Sequence, residues 1–270
     1  MIMSNLLSSE LYKLKKSLNF RIMAVLTVIM VFVQYGANAI LETVLRRGGA
    51  AGEQAERLEL LESLGILEML RSMFGNTNAI IFVTIFICCF VINDYSSGMM
   101  ANFVGKGYKR AEVFLAKFFA AEFGVVLLYL LTAIATLLIG IIFRGTEELG
   151  IVFFRDFGNY LALNILYLTA YTAVIILVCT LTRNMAAGIL ICVLGIMIFS
   201  IFIVQGIDLI LSFLSIKAEI SQYWIVTIIA SCPAREIPLS FIVNSGIATA
   251  FWLAVSMAAG MLWFEKRDVR

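Results

Sequence analysis

The apolar positions of this chain fall into six long runs: Phe20 to Leu41, Ala79 to Ile92, Val113 to Phe143, Tyr160 to Leu181, Ala186 to Leu214 and Phe241 to Phe264. A helix needs about 20 predominantly apolar residues to cross a bilayer core. The second run has only 14 clean residues, so it must recruit residues 73–78 or end as a half-helix. Ahead of the first run, Leu7, Leu11, Leu14 and Leu18 recur at helical spacing, with Glu10, Lys13, Lys15 and Lys16 on the remaining surface. That pattern predicts an amphipathic helix lying in the membrane interface, its lysines near anionic lipid. Gln222 to Ser231 is apolar but about half a crossing long, and Pro233 stops it, which suits a re-entrant or interfacial helix on the outer face with Tyr223 and Trp224 at headgroup level. Glu42 to Gly75 is acidic, and Leu58, Leu61, Leu64 and Leu67 recur every three residues, predicting a helix on the outer membrane surface. The fold class expected is all-α integral membrane, one domain over 1–270. It comprises an interfacial helix in 1–19, six transmembrane helices in 20–264 and a tail in 265–270.

Composition agrees: 62% of residues are hydrophobic, 14% are charged and the mean hydropathy is +1.00, well above soluble domains. There is no His, which removes His-based acid/base chemistry and His-ligated metals. Cys88, Cys89, Cys179 and Cys192 lie in apolar runs and read as small hydrophobes, and Cys232 stands alone in a loop, so neither a disulfide framework nor a metal site is expected. A net charge of +2 is too small to imply nucleic acid. The positions of the charges say more. Lys13, Lys15, Lys16, Arg21, Lys106, Lys109, Arg110, Lys117, Arg183, Lys266, Arg267 and Arg270 put twelve of the 20 cations on the side of the chain ends. Arg46, Arg47, Arg57, Arg71, Arg144, Arg155, Lys217 and Arg235 are spread over longer loops on the other side. This asymmetry predicts both ends in the cytoplasm. The first run lacks a small-residue cleavage site and reads as a retained span.

Between the second and third runs stands "NDYSSGMMANFVGKGYKRAEVF", Asn93 to Phe114. Asn93 and Asp94 suit the end of a span, Gly98 permits a sharp reversal, and Met99 to Val104 can form a short helix with one apolar side before the "GKG" of Gly105 to Gly107. Lys117 sits one to two turns inside the third run, where a long side chain can snorkel back to the interface. The segment is either a loop whose apolar side rests on lipid or a docking knob for a cytoplasmic partner.

The "ELYKLKKS" of Glu10 to Ser17 and the "NDYSSGMMANFVGKGYKRAEVFLAK" of Asn93 to Lys117 resemble the permease subunits of ABC transporters of the ABC-2 type. The similarity is greatest to small bacterial permeases of lantibiotic immunity, bacitracin resistance and peptide-toxin export. It implies a cytoplasmic-membrane subunit whose first element is a connecting helix and whose second is a coupling helix seated in a groove of a nucleotide-binding subunit. Glu10, Lys13, Tyr95, Ser97, Gly98, Met99, Met100, Phe103, Val104, Lys106, Gly107 and Arg110 are the coupling residues it implies. No G-x-x-x-x-G-K-[ST] occurs, so this chain has no P-loop for ATP. ATP and Mg are expected on a partner ATPase in two copies, with a second permease copy or a sister permease completing the pathway.

An enzyme is set aside: Glu147 and Glu148 are adjacent acids, but in a short outer loop and without His. An ion exporter, secondary transporter or channel is the stronger rival, with Glu122 and Asp208 as intramembrane acids, although Glu122 is equally placed to pair with Lys117 or Arg183. By resemblance, Phe82, Phe86, Phe199, Phe202 and Gln205 line a substrate path between paired subunits. The same Phe residues would otherwise face lipid. An aromatic lining with one amide suits an amphipathic peptide, antibiotic or lipid-like molecule.

Overall fold

The computed structural model describes residues 2–49, 52–75, 78–146, 148–199, 204–214 and 220–266. Glu147, Phe202, Lys217, Arg267 and Arg270 lie outside them. Regular structure among the described residues is helical throughout: α1 (Ile2–Lys16), α2 (Leu18–Arg47), α3 (Glu53–Ser63), α4 (Ile66–Gly75), α5 (Asn78–Ser96), α6 (Met99–Gly105), α7 (Arg110–Arg144), α8 (Ile151–Thr182), α9 (Met185–Ile198), α10 (Gln205–Phe213), α11 (Ile225–Ser231) and α12 (Leu239–Lys266). Five of these, α2, α5, α7, α8 and α12, are long and apolar enough to cross a membrane, so the chain is a multi-pass membrane protein.

The second run differs from the expectation for a physical reason that its site supplies. The short second run gains length at its far end: α5 continues past Ile92 through Asn93 and Asp94 to Ser96, while residues 73–75 belong to α4. A carboxylate can lie in the helix there because Asp94 is paired, as described below. In the fifth run the described helices are α9 and α10, and residues 200–203 between them lie outside the described residues. α9 ends at Ile198, Phe199 and Val204 are π-helical, and α10 starts at Gln205.

Lipid tails are as apolar as Leu, so membrane helices hold together through close packing, and small residues permit it. Gly124 of α7 admits the Phe86 ring of α5, whose Cζ would lie 2.5 Å from a Cβ at that position. Gly140 of α7 receives Tyr35 of α2 and Ile66 of α4, and Gly260 of α12 receives Phe114. Tyr167 of α8 and Ser245 of α12 share a buried hydrogen bond of 2.7 Å. α2 is the most peripheral span, with Ile22, Val25, Ile29 and Phe32 exposed along one side.

Only α3 keeps the surface position expected for the first outer loop. The chain breaks at Leu64 and Gly65, and α4 then buries Ile66, Leu67, Met69, Leu70, Met73 and Phe74 inside the end of the bundle. Glu148 makes the break: its Oε2 accepts from the Ile66 amide at 3.1 Å, in space that any side chain at residue 65 would take. Arg235 bridges Glu68 at 3.0 Å and Glu148 at 3.8 Å. α11 lies against α4, where Gly75 approaches the Ala230 carbonyl, and its Ile225, Val226, Ile228 and Ile229 are buried. These two short helices cover the bundle end opposite α1.

Candidate functional site

At the α1 end, four charges from three helices meet under the surface. Asp94 is 0% exposed, Lys117 2% and Glu10 4%. The Lys117 ammonium donates to Glu10 Oε2 at 2.6 Å and to Asp94 Oδ2, and the Lys13 ammonium pairs with the other Asp94 oxygen. Two cations and two anions make the group neutral, the condition under which buried charges are tolerated. The Phe90 ring lies beneath both ammoniums, 4.2 Å from Lys117 Nζ and 5.5 Å from Lys13 Nζ. Burial first, and then repulsion by Lys117, pull Lys13 below its ordinary value, while Glu10 opposes the shift. Lys117 therefore does not snorkel outward. Nor does it pair with Glu122, which instead accepts from Thr169 Oγ1 at 2.8 Å. What the sequence reading missed is this convergence: Asp94 was visible as a polar span end and Lys117 as an isolated cation, 23 residues apart.

The cluster carries α6. Gly98 is left-handed, at φ 69°, and turns the chain from α5 into α6 as expected. Gly107, at φ 89°, ends the helix. Met99 Sδ lies 3.8 Å from Lys13 Nζ, while Met100 is turned inward and buried. Phe103 and Val104 are half-buried, Phe103 standing edge-on to Tyr108 at 6.1 Å, and Lys106 and Gly107 are exposed. Ser97 is exposed, and Tyr95 packs edge-on against Phe264 of α12 with the Arg183 guanidinium 5.3 Å above its ring. Arg110 donates to the Glu265 carbonyl at 2.7 Å, joining the start of α7 to the end of α12. Between α1 and α6 runs a groove of about 550 Å³, bordered by Tyr12, Lys13, Lys16, Asn93, Met99 and Phe103. The expected coupling residues of α1 and α6 are thus neighbours, but Met100 is buried, and Glu10, although its carboxylate pairs with Lys117, still borders the groove.

The substrate-path candidates separate. Phe86 is buried, stacked on Phe90 at 5.8 Å and edge-on to Phe20 at 5.7 Å, as a packing residue. Phe82 is half-buried and Gln205 is exposed. Phe199 borders an apolar cavity of about 420 Å³ with Tyr223, Trp224, Ile247, Phe251 and Trp252. Its ring is 4.8 Å from Trp224, which stands 5.0 Å from Trp252, and Trp252 Nε1 donates to the Tyr223 carbonyl. Asp208 accepts from the amides of Ile220, at 2.6 Å, and Ser221, so it caps a turn of the chain. The described cysteines form no disulfide, and Cys232 lies in the loop after α11, buried there with Asn164 Nδ2 3.8 Å from its sulfur.

Comparison with known proteins finds no matching family model and no matching curated relative.

Proposed function

We propose that this chain is the permease subunit of an ATP-driven exporter of the ABC-2 type, in a bacterial cytoplasmic membrane. A separate ATPase, in two copies, hydrolyses ATP and docks on the α1–α6 surface, and a second permease copy or a sister permease completes the pathway. The observation that carries the reading is the neutral ion cluster. It fastens α1 to the end of α5 and the start of α7, so a displacement of α6 reaches two spans through Asp94 instead of dissipating in a loop.

In this reading α9 and α10 together make a sixth crossing and both chain ends are cytoplasmic. Support comes from the positions of the helix ends. α8 finishes beside Tyr95 at the α1 end, whereas Arg235, just before α12, lies with Glu68 and Glu148 at the opposite end. The native cysteines are all buried, so introduced ones report cleanly. Glu56→Cys is expected to react with a membrane-impermeant maleimide in intact cells, and Lys106→Cys only after permeabilisation. Labelling of Lys106→Cys in intact cells overturns the orientation.

The aromatic cavity at Phe199, Trp224 and Trp252 is the part of the chain suited to the apolar portion of an amphipathic peptide, antibiotic or lipid-like substrate. An ion pathway has less to stand on, since Asp208 is engaged by backbone amides.

The docking claim is tested by co-expressing the permease with ABC-type ATPases of its own genome and measuring their co-purification. Phe103→Ala removes half-buried apolar area beside the groove and is expected to cost about 1–2 kcal/mol of assembly, roughly a tenfold loss of recovered ATPase. Lys106→Ala costs less and shows it mainly at low salt. Equal recovery by wild type and Phe103→Ala, each normally inserted, removes the α6 surface as the coupling face.

A further inference from the structure

Three of the five cysteines, contributed by three different helices, meet at one point. Cys88 of α5, Cys179 of α8 and Cys192 of α9 are buried, and their Sγ atoms all lie within 4.8 Å of one another, those of Cys88 and Cys179 being 3.6 Å apart. An ion bonded to three sulfurs at about 2.3 Å holds them about 4.0 Å apart if planar and about 3.4 Å apart if pyramidal. The observed triangle reaches those values by small side-chain rotations. Packing alone does not call for this arrangement, because Ala, Ser or Val fills such positions as well, and Cys89, next to Cys88, stays outside the group.

The surroundings select the charge of the ion. The helix turns carrying the thiols also bury Ile87, Val91, Ile175 and Ile176. Nearby polar side chains satisfy each other, Thr84 with Tyr171, and Arg183, one turn beyond Cys179, is laid over the Tyr95 ring. A net charge in such a medium is costly, and thiolates favour soft ions. Three thiolates leave a charge of minus two around a monovalent ion and minus one around a divalent ion. Around a trivalent ion they leave none.

We propose that Cys88, Cys179 and Cys192 form a trithiolate site for a trivalent thiophilic ion of the arsenic(III) and antimony(III) kind. Binding is ligand exchange without oxidation or reduction. Arsenous acid, As(OH)₃, enters uncharged, three As–O bonds break as three As–S bonds form, and each thiol proton leaves with a hydroxide as water. Occupancy ties α5, α8 and α9 together and does not depend on what docks on the α1–α6 surface.

The test uses full-length protein in lipid nanodiscs, incubated with sodium arsenite, freed of excess by gel filtration and assayed for arsenic by mass spectrometry and for its ligands by X-ray absorption. One arsenic per chain with three sulfur neighbours is expected, in wild type and in the Cys89→Ala/Cys232→Ala double variant. Bound arsenic should also raise the melting temperature, since it binds the folded state. Losing a direct ligand costs at least what losing an outer partner of a metal site does, on the order of 10–100-fold in affinity, so Cys88→Ala, Cys179→Ala and Cys192→Ala should each release the ion. The X-ray measurement on wild type needs no variant and stands even where a substitution fails to fold. No retained arsenic, two sulfur neighbours in place of three, full retention by any one of the three variants, or stoichiometric Zn(II) or Cu(I) with no arsenic overturns the assignment.

Discussion

Lys117→Met is expected to destabilise the folded protein by about 3–5 kcal/mol, the cost of leaving a buried charge without its partner. The substitution keeps the stem of the side chain and removes the ammonium that serves Glu10 and Asp94 together. Asp94, with no exposed surface, then has only Lys13, whose side chain is 25% exposed and already divided between water and the cluster. Lys13→Met should cost clearly less, because water can enter where its ammonium was. The cluster also predicts a sign. Adding Asp94→Leu to Lys117→Met removes the orphaned anion, so the double variant should lose less than the sum of the singles, since residues in one network do not act additively. Thermal unfolding of wild type, Lys117→Met, Lys13→Met, Asp94→Leu and the double variant in one detergent, followed by the loss of monodisperse protein, reads this directly. Wild-type melting of Lys117→Met, or strict additivity in the double variant, contradicts a shared buried network.

Phe86→Ala separates packing from transport. If the ring lined a substrate path, its removal would alter what is moved and leave the protein as stable as before. Buried between Phe20, Phe90 and Gly124, it should instead leave a void. In a bilayer the chain is compared with itself in lipid, so the transfer from water contributes little and the lost packing remains. A void of roughly 100 Å³ at about 24 cal/mol per Å³ gives about 2–3 kcal/mol. Gly124→Val alone should also destabilise, by about 1–3 kcal/mol, because its new carbons collide with the ring. Combined with Phe86→Ala, the same valine fills the void and should recover part of the loss. Additive losses in the double variant, measured by the same unfolding assay, sink the packing account.

How far the residues announce their structure depends on whether the information is local. Run length and amphipathic spacing disclosed α1, α2, α7, α8 and α12, and Gly98 with the "GKG" turn disclosed α6, because each is set by its own stretch of chain. The burial of α4 was hidden, since it comes from Glu148, 82 residues from Ile66, capping its first turn. In the candidate site, the charged residues could be seen singly, and their meeting could not: Glu10 and Lys117 are 107 positions apart. The same holds for Cys88, Cys179 and Cys192, each of which looks like any small apolar residue until three helices set them side by side.

The ion cluster also bears on biogenesis. The chain is made from its first residue onward, so Glu10 and Asp94 are at the membrane before α7 emerges. That 35-residue helix then brings Lys117 into a place where both of its counter-ions already wait. A lone ammonium in an apolar segment resists insertion, and here the resistance is met by helices laid down earlier. α1 therefore serves as an assembly clamp as well as a surface element. A nascent chain whose α1 has not settled on the bilayer presents α7 as a span with an unmatched charge, which is costly to insert.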